Sequence, residues 1–369
     1  MSEAWREPVR GGYPDLWMLG LPPAERFALW RRDASLLPPL HHLTGARFSG
    51  FGDGTAEAEM PASQWLTNSA GLIGGGTLAI VADIAFGVSV ESQLPPATPY
   101  TTAELSLTFL APARPGGTLS AHGQAIRVGR AVGLSEVFVL DPAGETLIAH
   151  GTSRIAIMPP IEGLPEPPRQ PAVVERPVHE TPDPYLREPP TGTVLPQEVW
   201  AELSGREVVE RQISGELPAP AIHHLTGIEL TAAGDGTAEM RMPASAWLES
   251  PARRLQGGTI AMLADSTLQI AALTTAPPGT AVAGLDLKVN FLRPVSGDGA
   301  DLIARAEVEH SGRTLAITRG RVENSEGKPV MLATGSAMYL PGRAADLSSE
   351  EELAGPAEEN NTAPPIART

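Results

Sequence analysis

The stretch GLIGGGTLAIVADIAFGVSV, from Gly71 to Val90, carries only one charged residue, Asp83, in twenty positions. Its almost continuous apolar character predicts a helix buried in the protein core, beginning at the run of glycines. An ionised carboxylate in such an element costs several kcal/mol unless it is paired or hydrogen-bonded. Folding stability alone therefore does not explain Asp83, which becomes a candidate functional residue.

The same pattern occurs a second time in the chain. RLQGGTIAMLADSTLQIAAL, from Arg254 to Leu273, repeats the glycines, the threonine and the aspartate, here Asp265. Between residues 41 and 83, 24 of 43 positions are identical to those found 182 residues later. The shared segments include HHLTG at 41 and 223, GDGT at 52 and 234, MPAS at 60 and 242, and WL at 65 and 247. Such a repeat indicates a duplicated domain.

Composition predicts a soluble globular protein and excludes several function classes. With 369 residues, 42% of them hydrophobic and 19% charged, the chain is long enough for two or more domains with substantial cores. A net charge of −16 argues against nucleic-acid binding, because phosphates demand a basic face. The absence of cysteine excludes disulfides, thiolate metal sites and a cysteine nucleophile.

The chain shows no targeting signal in its sequence. No signal peptide or lipidation motif is present at either end, so we expect a cytoplasmic protein. The stretch at 71–90 is just long enough to cross a membrane, but its glycines, its central aspartate and the lack of flanking Lys or Arg favour a core helix. We therefore expect no membrane span.

Two segments of biased composition divide the chain. Residues 159–200 hold twelve of the 37 prolines and predict an extended, semi-rigid acidic linker. Residues 342–369 predict a disordered acidic tail. The expected units are a first domain at 20–158 and a second at 201–341. Because the linker and the tail supply half of the net negative charge, the folded halves can still carry basic patches for an anionic ligand.

Each copy contains the same order of predicted elements. A short amphipathic helix, at 24–36 and 204–215, leads into a strand near the HHLTG box and then a hairpin that turns at Gly-Asp-Gly. The apolar helix follows, and after it the sequence alternates with period two at 101–110 and 284–292, as in antiparallel strands. The predicted fold of each half is α+β, with one long buried helix against a strongly bent antiparallel sheet.

These residues resemble the PaaI-like branch of the hotdog-fold acyl-CoA thioesterases. The pattern of that family is Asn, then His-Gly-Gly beginning six residues later, then Asp, then Ser or Thr eighteen residues after the Asp. The matching positions are Asn68, Gly75, Asp83 and Thr101 in the first copy, and Ser250, Gln256, Gly257, Asp265 and Ala283 in the second. The family histidine is missing from both copies.

The resemblance implies two hotdog domains, each a long central helix wrapped by a bent antiparallel sheet, packed as a pseudo-dimer within one chain. It also implies hydrolysis of an acyl-CoA thioester without a cofactor, and is compatible with further homo-oligomerisation. An alternative is a hotdog protein that binds acyl-CoA without turnover, which the missing histidines favour. A hotdog hydratase needs a histidine in the active helix, and neither apolar helix has one.

A helix that begins with glycines also has a chemical consequence. Its unshielded N–H groups and its dipole favour an oxyanion at the helix start, so Gly75 and Gly257 are the predicted oxyanion donors. Asp83 lies eight residues after Gly75, about 12 Å along the helix, and cannot reach a carbonyl held there. We therefore expect antiparallel helices, with the aspartate of one facing the glycines of the other.

Two composite sites follow from this packing. We favour the site of Asp83, because Thr101 can position a water and Gln256 can donate a hydrogen bond where the family has histidine. The aspartate acts either as a general base on water or as a nucleophile, and the sequence does not separate these mechanisms. The groups are Asp83, Thr101, Gly257 and Gln256 in one site, and Asp265, Gly75, Asn68 and Ala283 in the other.

Each of these residues also has a purely structural interpretation. Glycines at a helix start allow close packing, and a buried aspartate can be held by a nearby arginine. Asn68 is typical of a turn, and Thr101 is typical of a strand. Trp65 and Trp247 are expected to pack in the core or at an interface.

Cations and histidines complete the candidate residues. For the phosphates of coenzyme A the candidates are Arg130 and Arg313 at hairpin turns and Arg293 after a strand. The histidine pairs at 41–42 and 223–224 suggest a metal, but adjacent strand residues point to opposite faces. We therefore expect no metal site.

Overall fold

The computed structural model describes residues 3–33, 36–168 and 179–343. Within these ranges the α-helices are α1 Pro23–Arg32, α2 Pro39–Thr44, α3 Gly75–Glu91, α4 Gln197–Glu202, α5 Gly205–Ile213, α6 Ala221–Thr226 and α7 Gly257–Leu273. The strands of the first repeat are β1 Arg47–Gly52, β2 Thr55–Pro61, β3 Tyr100–Phe109, β4 Thr118–Val128, β5 Val132–Leu140 and β6 Leu147–Ile157. Those of the second are β7 Glu229–Gly234, β8 Thr237–Pro243, β9 Thr280–Phe291, β10 Asp301–Ser311, β11 Leu315–Glu323 and β12 Pro329–Pro341. Nearly all of the predicted tail at 342–369 lies outside the described residues.

The strands form one antiparallel sheet in the order β1-β2-β4-β5-β6-β3-β9-β12-β11-β10-β8-β7. Each repeat contributes six neighbouring strands, and the repeats join where β3 pairs with β9. In this junction Ser106 lies opposite Lys288, which is its own equivalent 182 residues later. The pseudo-twofold axis therefore passes between these two residues, and the predicted α+β pseudo-dimer is confirmed.

The two apolar helices pack against each other on the sheet. Gly76 at the start of α3 meets Asp265 of α7, and Asp83 of α3 meets Gly258 of α7, so the helices run antiparallel as predicted. A Cβ on Gly258 would lie 2.3 Å from the carbonyl oxygen of Ala79. The glycines are thus required for close contact between the helices, besides any role in chemistry.

Helix α3 is covered on all sides. Fifteen of its 17 residues are buried, which explains why its sequence is apolar all around and not along one stripe. Sheet strands cover one side of the helix and α7 covers the other. Among the described helices, none combines the length and the apolar character that a membrane span requires.

A strand follows each HHLTG box, as predicted, but the histidines themselves do not lie in it. The box ends a short helix, α2 in the first repeat and α6 in the second. A proline at the helix start and a left-handed glycine at its end favour this single turn over a strand. The threonine adds to it, since the Thr44 hydroxyl donates to the Leu40 carbonyl at 2.8 Å. Burial of the rings lowers the pKa of His41 to about 4 and that of His223 to about 3.

The other histidine of each box is paired with an acid from a distant segment. His42 bonds to Asp183, in the predicted linker, and His224 bonds to Glu3, near the start of the chain, each at 2.8 Å. The segment that precedes each domain therefore crosses over and packs on the other domain. The argument against a metal site from strand geometry is wrong, because the histidines lie in short helices. One histidine of each pair, His42 or His224, instead bonds to a carboxylate.

The same two crossing segments cover the tryptophans, which are buried as predicted. The indole of Trp65 donates to the carbonyl of Arg187 at 2.7 Å, and that of Trp247 donates to the carbonyl of Glu7 at 3.0 Å. The described part of the linker is therefore not an extended spacer. It includes a short 3₁₀ helix, Pro184–Leu186, and acts as an arm that packs on the first domain.

Replacing Gly258 by Ala should destabilise the protein, because the new methyl group meets the backbone of α3 and not a flexible side chain. Overpacking of this kind costs about 1–3 kcal/mol. Gly74→Ala is the matched control at the other helix start, since its Cβ would meet its nearest atom, the Thr77 hydroxyl, at 3.6 Å. Denaturant unfolding measures both variants, and an equal loss in the two would contradict the close-contact role of Gly258.

Candidate active site

Asp83 lies at the junction of the two repeats, and both of its carboxylate oxygens accept hydrogen bonds. The Thr102 hydroxyl on β3 donates to Oδ1 at 2.8 Å, and the Gly258 amide at the start of α7 donates to Oδ2 at 3.2 Å. Asp83 is only 8% exposed. The carboxylate of one repeat thus meets the helix start of the other, as the antiparallel packing requires.

Asp265 occupies the equivalent place in the second site. The Gly76 amide at the start of α3 donates to Oδ2 at 2.8 Å, and the Gln269 side-chain amide donates to Oδ1 at 3.4 Å. Asp265 is 3% exposed. The contact with a helix start is therefore common to both sites, whereas the second partner of the carboxylate differs.

Burial raises the pKa of both aspartates. At Asp83 desolvation outweighs the hydrogen bonds from the hydroxyl and the backbone amides, which favour the charged form. At Asp265 desolvation, opposed by its own hydrogen bonds, raises the pKa to about 6, and the negative charge of Asp286 adds to the rise. A carboxylate with a raised pKa holds a proton more readily near neutral pH, which suits a general base.

The predicted oxyanion donors lie at the two helix starts. A Cβ on Gly257 would lie 3.1 Å from Asp83 Oδ2 and 3.1 Å from the ring of Phe291. In the other site a Cβ on Gly75 would lie 2.5 Å from the ring of Phe109. Each helix start therefore faces a carboxylate and is covered by a phenylalanine from β3 or β9, an arrangement that only glycine fits without displacement.

The assignment of Thr101 to the Asp83 site is wrong by one residue. Thr101 is exposed, whereas Thr102 faces the helix and bonds to Asp83. Leu105 and Leu107 of β3 are buried, and in a regular strand every second residue points to the same side. By this alternation Thr101 would point inward. A bulge just after Thr102 reverses the faces of the strand and turns this hydroxyl inward instead.

The two sites differ by a reciprocal exchange of side chains. Where the first repeat has Thr102, the second has Gly284, and a Cβ there would lie 2.8 Å from the Gln269 side-chain nitrogen. Where the second repeat has Gln269, the first has Gly87. At Asp265 a glutamine amide thus replaces the threonine hydroxyl, and a glycine leaves room for it. The sequence did not lead to Thr102 or Gln269 as partners of the aspartates. A signal was present, because the 182-residue offset pairs each of them with a glycine in the other repeat.

Gln256 lies at the start of α7, but its amide group is not free. Its Nε2 donates to the carbonyl of Ile80 on α3 at 2.8 Å, which fixes the orientation of the amide. Its Oε1 is buried and has no hydrogen-bond partner in the described part of the chain. The donor that the sequence predicted is therefore used within the protein, and Gln256 has an unpaired acceptor at the start of α7.

Asn68 is a turn residue in the structure. Its Oδ1 accepts from the backbone amides of Ala70 and Leu72 at 2.9 and 3.2 Å. Ser250 takes this place in the second repeat, where its hydroxyl accepts from the Ala252 amide at 3.3 Å. Both side chains shape the loop before an apolar helix, and among the described contacts neither is hydrogen-bonded to a site aspartate.

The three predicted phosphate-binding arginines lie at the surface. Arg130 and Arg313 are exposed in the β4–β5 and β10–β11 turns. Arg293 is exposed and donates to the carbonyl of Pro329. The β4–β5 turn that contains Arg130 lies at the same end of the sheet as Thr102. The structure thus leaves these side chains accessible but brings none of them into contact with a carboxylate of the two sites.

Known proteins share this sequence pattern and architecture. The Thioesterase superfamily signature matches residues 70–148 and 254–331, one match in each repeat. A proposed esterase from Halobacterium salinarum is 34% identical over 115 residues, which cover 28% of this chain and 75% of that protein. A proposed esterase from Haemophilus influenzae is 32% identical over 108 residues, which cover 29% of this chain and 76% of that protein.

A solved structure extends the likeness to both repeats. The TesB protein of Mycobacterium avium subspecies paratuberculosis superimposes with a TM-score of 0.50 and 14% identity, covering 82% of this chain and 98% of that one. At this identity the likeness concerns the fold alone. It agrees with the tandem hotdog architecture in which two long helices pack on a shared sheet.

The Asp83 carboxylate should titrate at a higher pH in Thr102→Val, because the hydroxyl that favours its charged form is lost. Thr101→Val, one residue away on the exposed face of β3, is the matched control and should leave this pKa unchanged. Carbon-13 NMR titration of the aspartate carboxyls measures the shift, with the Asp265 signal, expected near pH 6, as an internal reference. Equal shifts in the two variants would show that the Thr102 contact is not formed in solution.

Proposed function

The chain belongs to the thioesterase superfamily as a tandem pair of hotdog domains, and on this premise we propose that it hydrolyses the thioester of an acyl-CoA at the Asp83 site. The observation that carries the proposal is the contact between a buried carboxylate and the helix start of the other repeat. Thioester hydrolysis needs an activated nucleophile and a donor for the carbonyl oxygen. This contact supports the proposal, because it joins a carboxylate that can act as the base to a helix start whose amides can act as donors.

Two side chains favour the Asp83 site over the Asp265 site. The Thr102 hydroxyl is bonded to Asp83, and its counterpart in the second repeat is a glycine. Gln256 lies at the helix start that Asp83 faces, and its counterpart at the other helix start is Gly74. The Asp265 site lacks both groups and has instead the Gln269 amide, which lies 3.4 Å from the carboxylate.

Gln256 supports the proposal through its unpaired Oε1. A buried carbonyl oxygen without a partner is unfavourable, and in the proposed reaction the attacking water donates one of its two hydrogens to it. The second hydrogen of that water is then available to Asp83. A water held in this way directs a lone pair at the thioester carbon. We therefore assign Gln256 to the water and not to the thioester.

In the proposed reaction Asp83 removes a proton from the water as the water oxygen attacks the thioester carbonyl carbon. Negative charge develops on the carbonyl oxygen, where the Gly257 amide, which is also a backbone donor to Asp83, and the positive end of the α7 dipole stabilise it. The tetrahedral intermediate then collapses and the C–S bond breaks. The proton held by Asp83 passes to the departing thiolate, so that the products are a carboxylic acid and free coenzyme A.

One observation favours a second function, acyl-CoA binding without turnover. Neither helix start carries the histidine of the family pattern, since Gly74 and Gln256 occupy these positions. Release of free thiol from a panel of acyl-CoA substrates separates the two functions.

We also propose that the protein is cytoplasmic. Acyl-CoA chemistry and a chain without cysteine agree with this location in either case.

Asp83→Asn should lower kcat by two orders of magnitude or more, because a general base contributes about 10²- to 10⁴-fold. Asp265→Asn is the matched variant of the other site and should have the smaller effect. Steady-state kinetics on the best substrate of the panel measures both. The reverse ranking would move the reaction to the Asp265 site.

Gln256→Ala should lower kcat about 10- to 100-fold with little change in KM, because it removes a contact made to the attacking water.

The wild-type kcat/KM should rise through one acidic pKa, that of Asp83, and then stay flat up to about pH 9, since glutamine does not titrate. The rate rises with pH, and does not fall, because the base acts only when it is deprotonated. A histidine limb near pH 6.5 together with an unaffected variant would contradict this assignment.

A further inference from the structure

The loop before the apolar helix differs between the two repeats. It reads NSAGLIGGG from residue 68 and SPARRLQGG from residue 250. Gly71 and Leu72 of the first repeat are thus replaced by Arg253 and Arg254 in the second. The chain has a net charge of −16, and this loop carries two adjacent arginines in one repeat and none in the other. The arginine pair therefore distinguishes one site from the other.

The backbone at Arg253 is left-handed, with φ 56°, as it is at Gly71, with φ 78°. This conformation favours glycine, and a side chain there is strained. The first repeat shows that the loop forms with glycine at this position. The strained arginine is therefore explained by what its side chain does and not by the needs of the loop.

The two guanidinium groups are presented at the surface. Arg253 lies over the ring of Tyr13, with Cζ 4.4 Å from the ring centroid, and Arg254 donates to the carbonyl of Arg253 at 2.7 Å. Both side chains are exposed, and across residues 3–33, 36–168 and 179–343 neither forms an ion pair. Four other arginines of the second repeat are paired with glutamate, namely Arg206, Arg241, Arg305 and Arg319. Arg293 and Arg313 share the exposed, unpaired state within the described residues, but they lie outside the loop that leads into α7.

The arginine pair belongs to the loop at 250–256, which leads into the helix start that Asp83 contacts and forms one rim of that site. It precedes Gly257 by three and four residues, so the connecting chain spans at most about 14 Å. Gln256 and Gly257, which end this loop, are the groups proposed to act on the water and on the thioester oxygen. The corresponding rim of the Asp265 site carries glycine and leucine and no charge.

We propose that Arg253 and Arg254 bind the phosphate groups of coenzyme A and so direct CoA thioesters to the Asp83 site. This inference rests on the proposed hydrolysis of acyl-CoA. A guanidinium group is planar, stays charged and matches phosphate oxygens with paired donors. In an acyl-CoA the phosphates lie beyond the pantetheine arm, away from the thioester. Cations on the rim, separated from the carboxylate by a short loop, fit that spacing.

The variant R253G/R254L gives the second loop the residues of the first, so its backbone is one that the fold already accepts. Its kcat/KM for an acyl-CoA should fall about 10- to 100-fold, mainly through KM, since charged hydrogen bonds to phosphate are lost. Its kcat/KM for the acyl-pantetheine with the same acyl group, which lacks the phosphates, should not change. R31Q/R32Q, which changes two exposed neighbouring arginines of α1, is the matched control and should behave as wild type.

Binding of 3′,5′-ADP, measured by isothermal titration calorimetry, tests the same arginines without turnover. The wild type should bind this probe, and R253G/R254L should bind it at least about tenfold more weakly. If the variant changes acyl-CoA and acyl-pantetheine turnover equally, or changes neither, the phosphate site is overturned while hydrolysis stands. If no thioester is hydrolysed but 3′,5′-ADP binding depends on the arginines, hydrolysis is overturned and the phosphate site stands. A loss confined to acyl-carrier-protein substrates would indicate a protein partner and overturn the phosphate site.

Discussion

The architecture depends on an aspartate in each repeat that hydrogen-bonds to the helix start of the other repeat. The residues that precede the apolar helices, Gly74 and Gln256, make no side-chain capping bond to them. The first amides of a helix have no partner within the helix, and inside a protein they need one. Asp265 and Asp83 supply the acceptor from across the interface. Association of the repeats therefore completes both helices as well as burying them.

This structural role changes how the repeated aspartate should be interpreted. Two copies of the motif suggest two active sites, but capping the opposite helix is sufficient reason for an aspartate in each copy. Evidence for chemistry has to come from the groups around the carboxylate. Those groups are unequal, because Thr102 and Gln256 lie in the Asp83 site and glycines take their places in the other.

The repeated sequence predicted the fold and the pairing of the two sites. The 182-residue offset indicated the duplication, and the rise of a helix showed that Asp83 and Gly75 cannot serve the same carbonyl. The contact of Asp83 with the start of α7 then followed from antiparallel packing. These features depend on periodicity and spacing, which a sequence displays directly.

The errors came from features that spacing does not display. A bulge in β3 exchanged the inward position of Thr101 for that of Thr102, because one extra residue reverses the faces of a strand. The orientation of Gln256 depends on a carbonyl 176 residues away in sequence, that of Ile80. The crossing arms depend on His42 and its partner Asp183, which nothing local connects. Each is a tertiary contact with no local signature.

A buried polar network behind Asp83 points to the same inequality between the repeats. On α3, Glu91 follows Asp83 by two turns and pairs with Arg26 at 2.6 Å, while the Tyr100 hydroxyl donates to Glu91 at 2.9 Å. The equivalent residues of the second repeat are Val208, Leu273 and Val282. Replacing a buried ion pair by apolar residues is often neutral or stabilising, so the fold does not need this network. Tyr100 stands two residues before Thr102 on β3, and anchoring it to α3 holds that end of the strand beside the helix that carries Asp83. The first repeat thus keeps a buried polar network next to the strand end that carries Thr102, and the second repeat, which has no such hydroxyl, does without it.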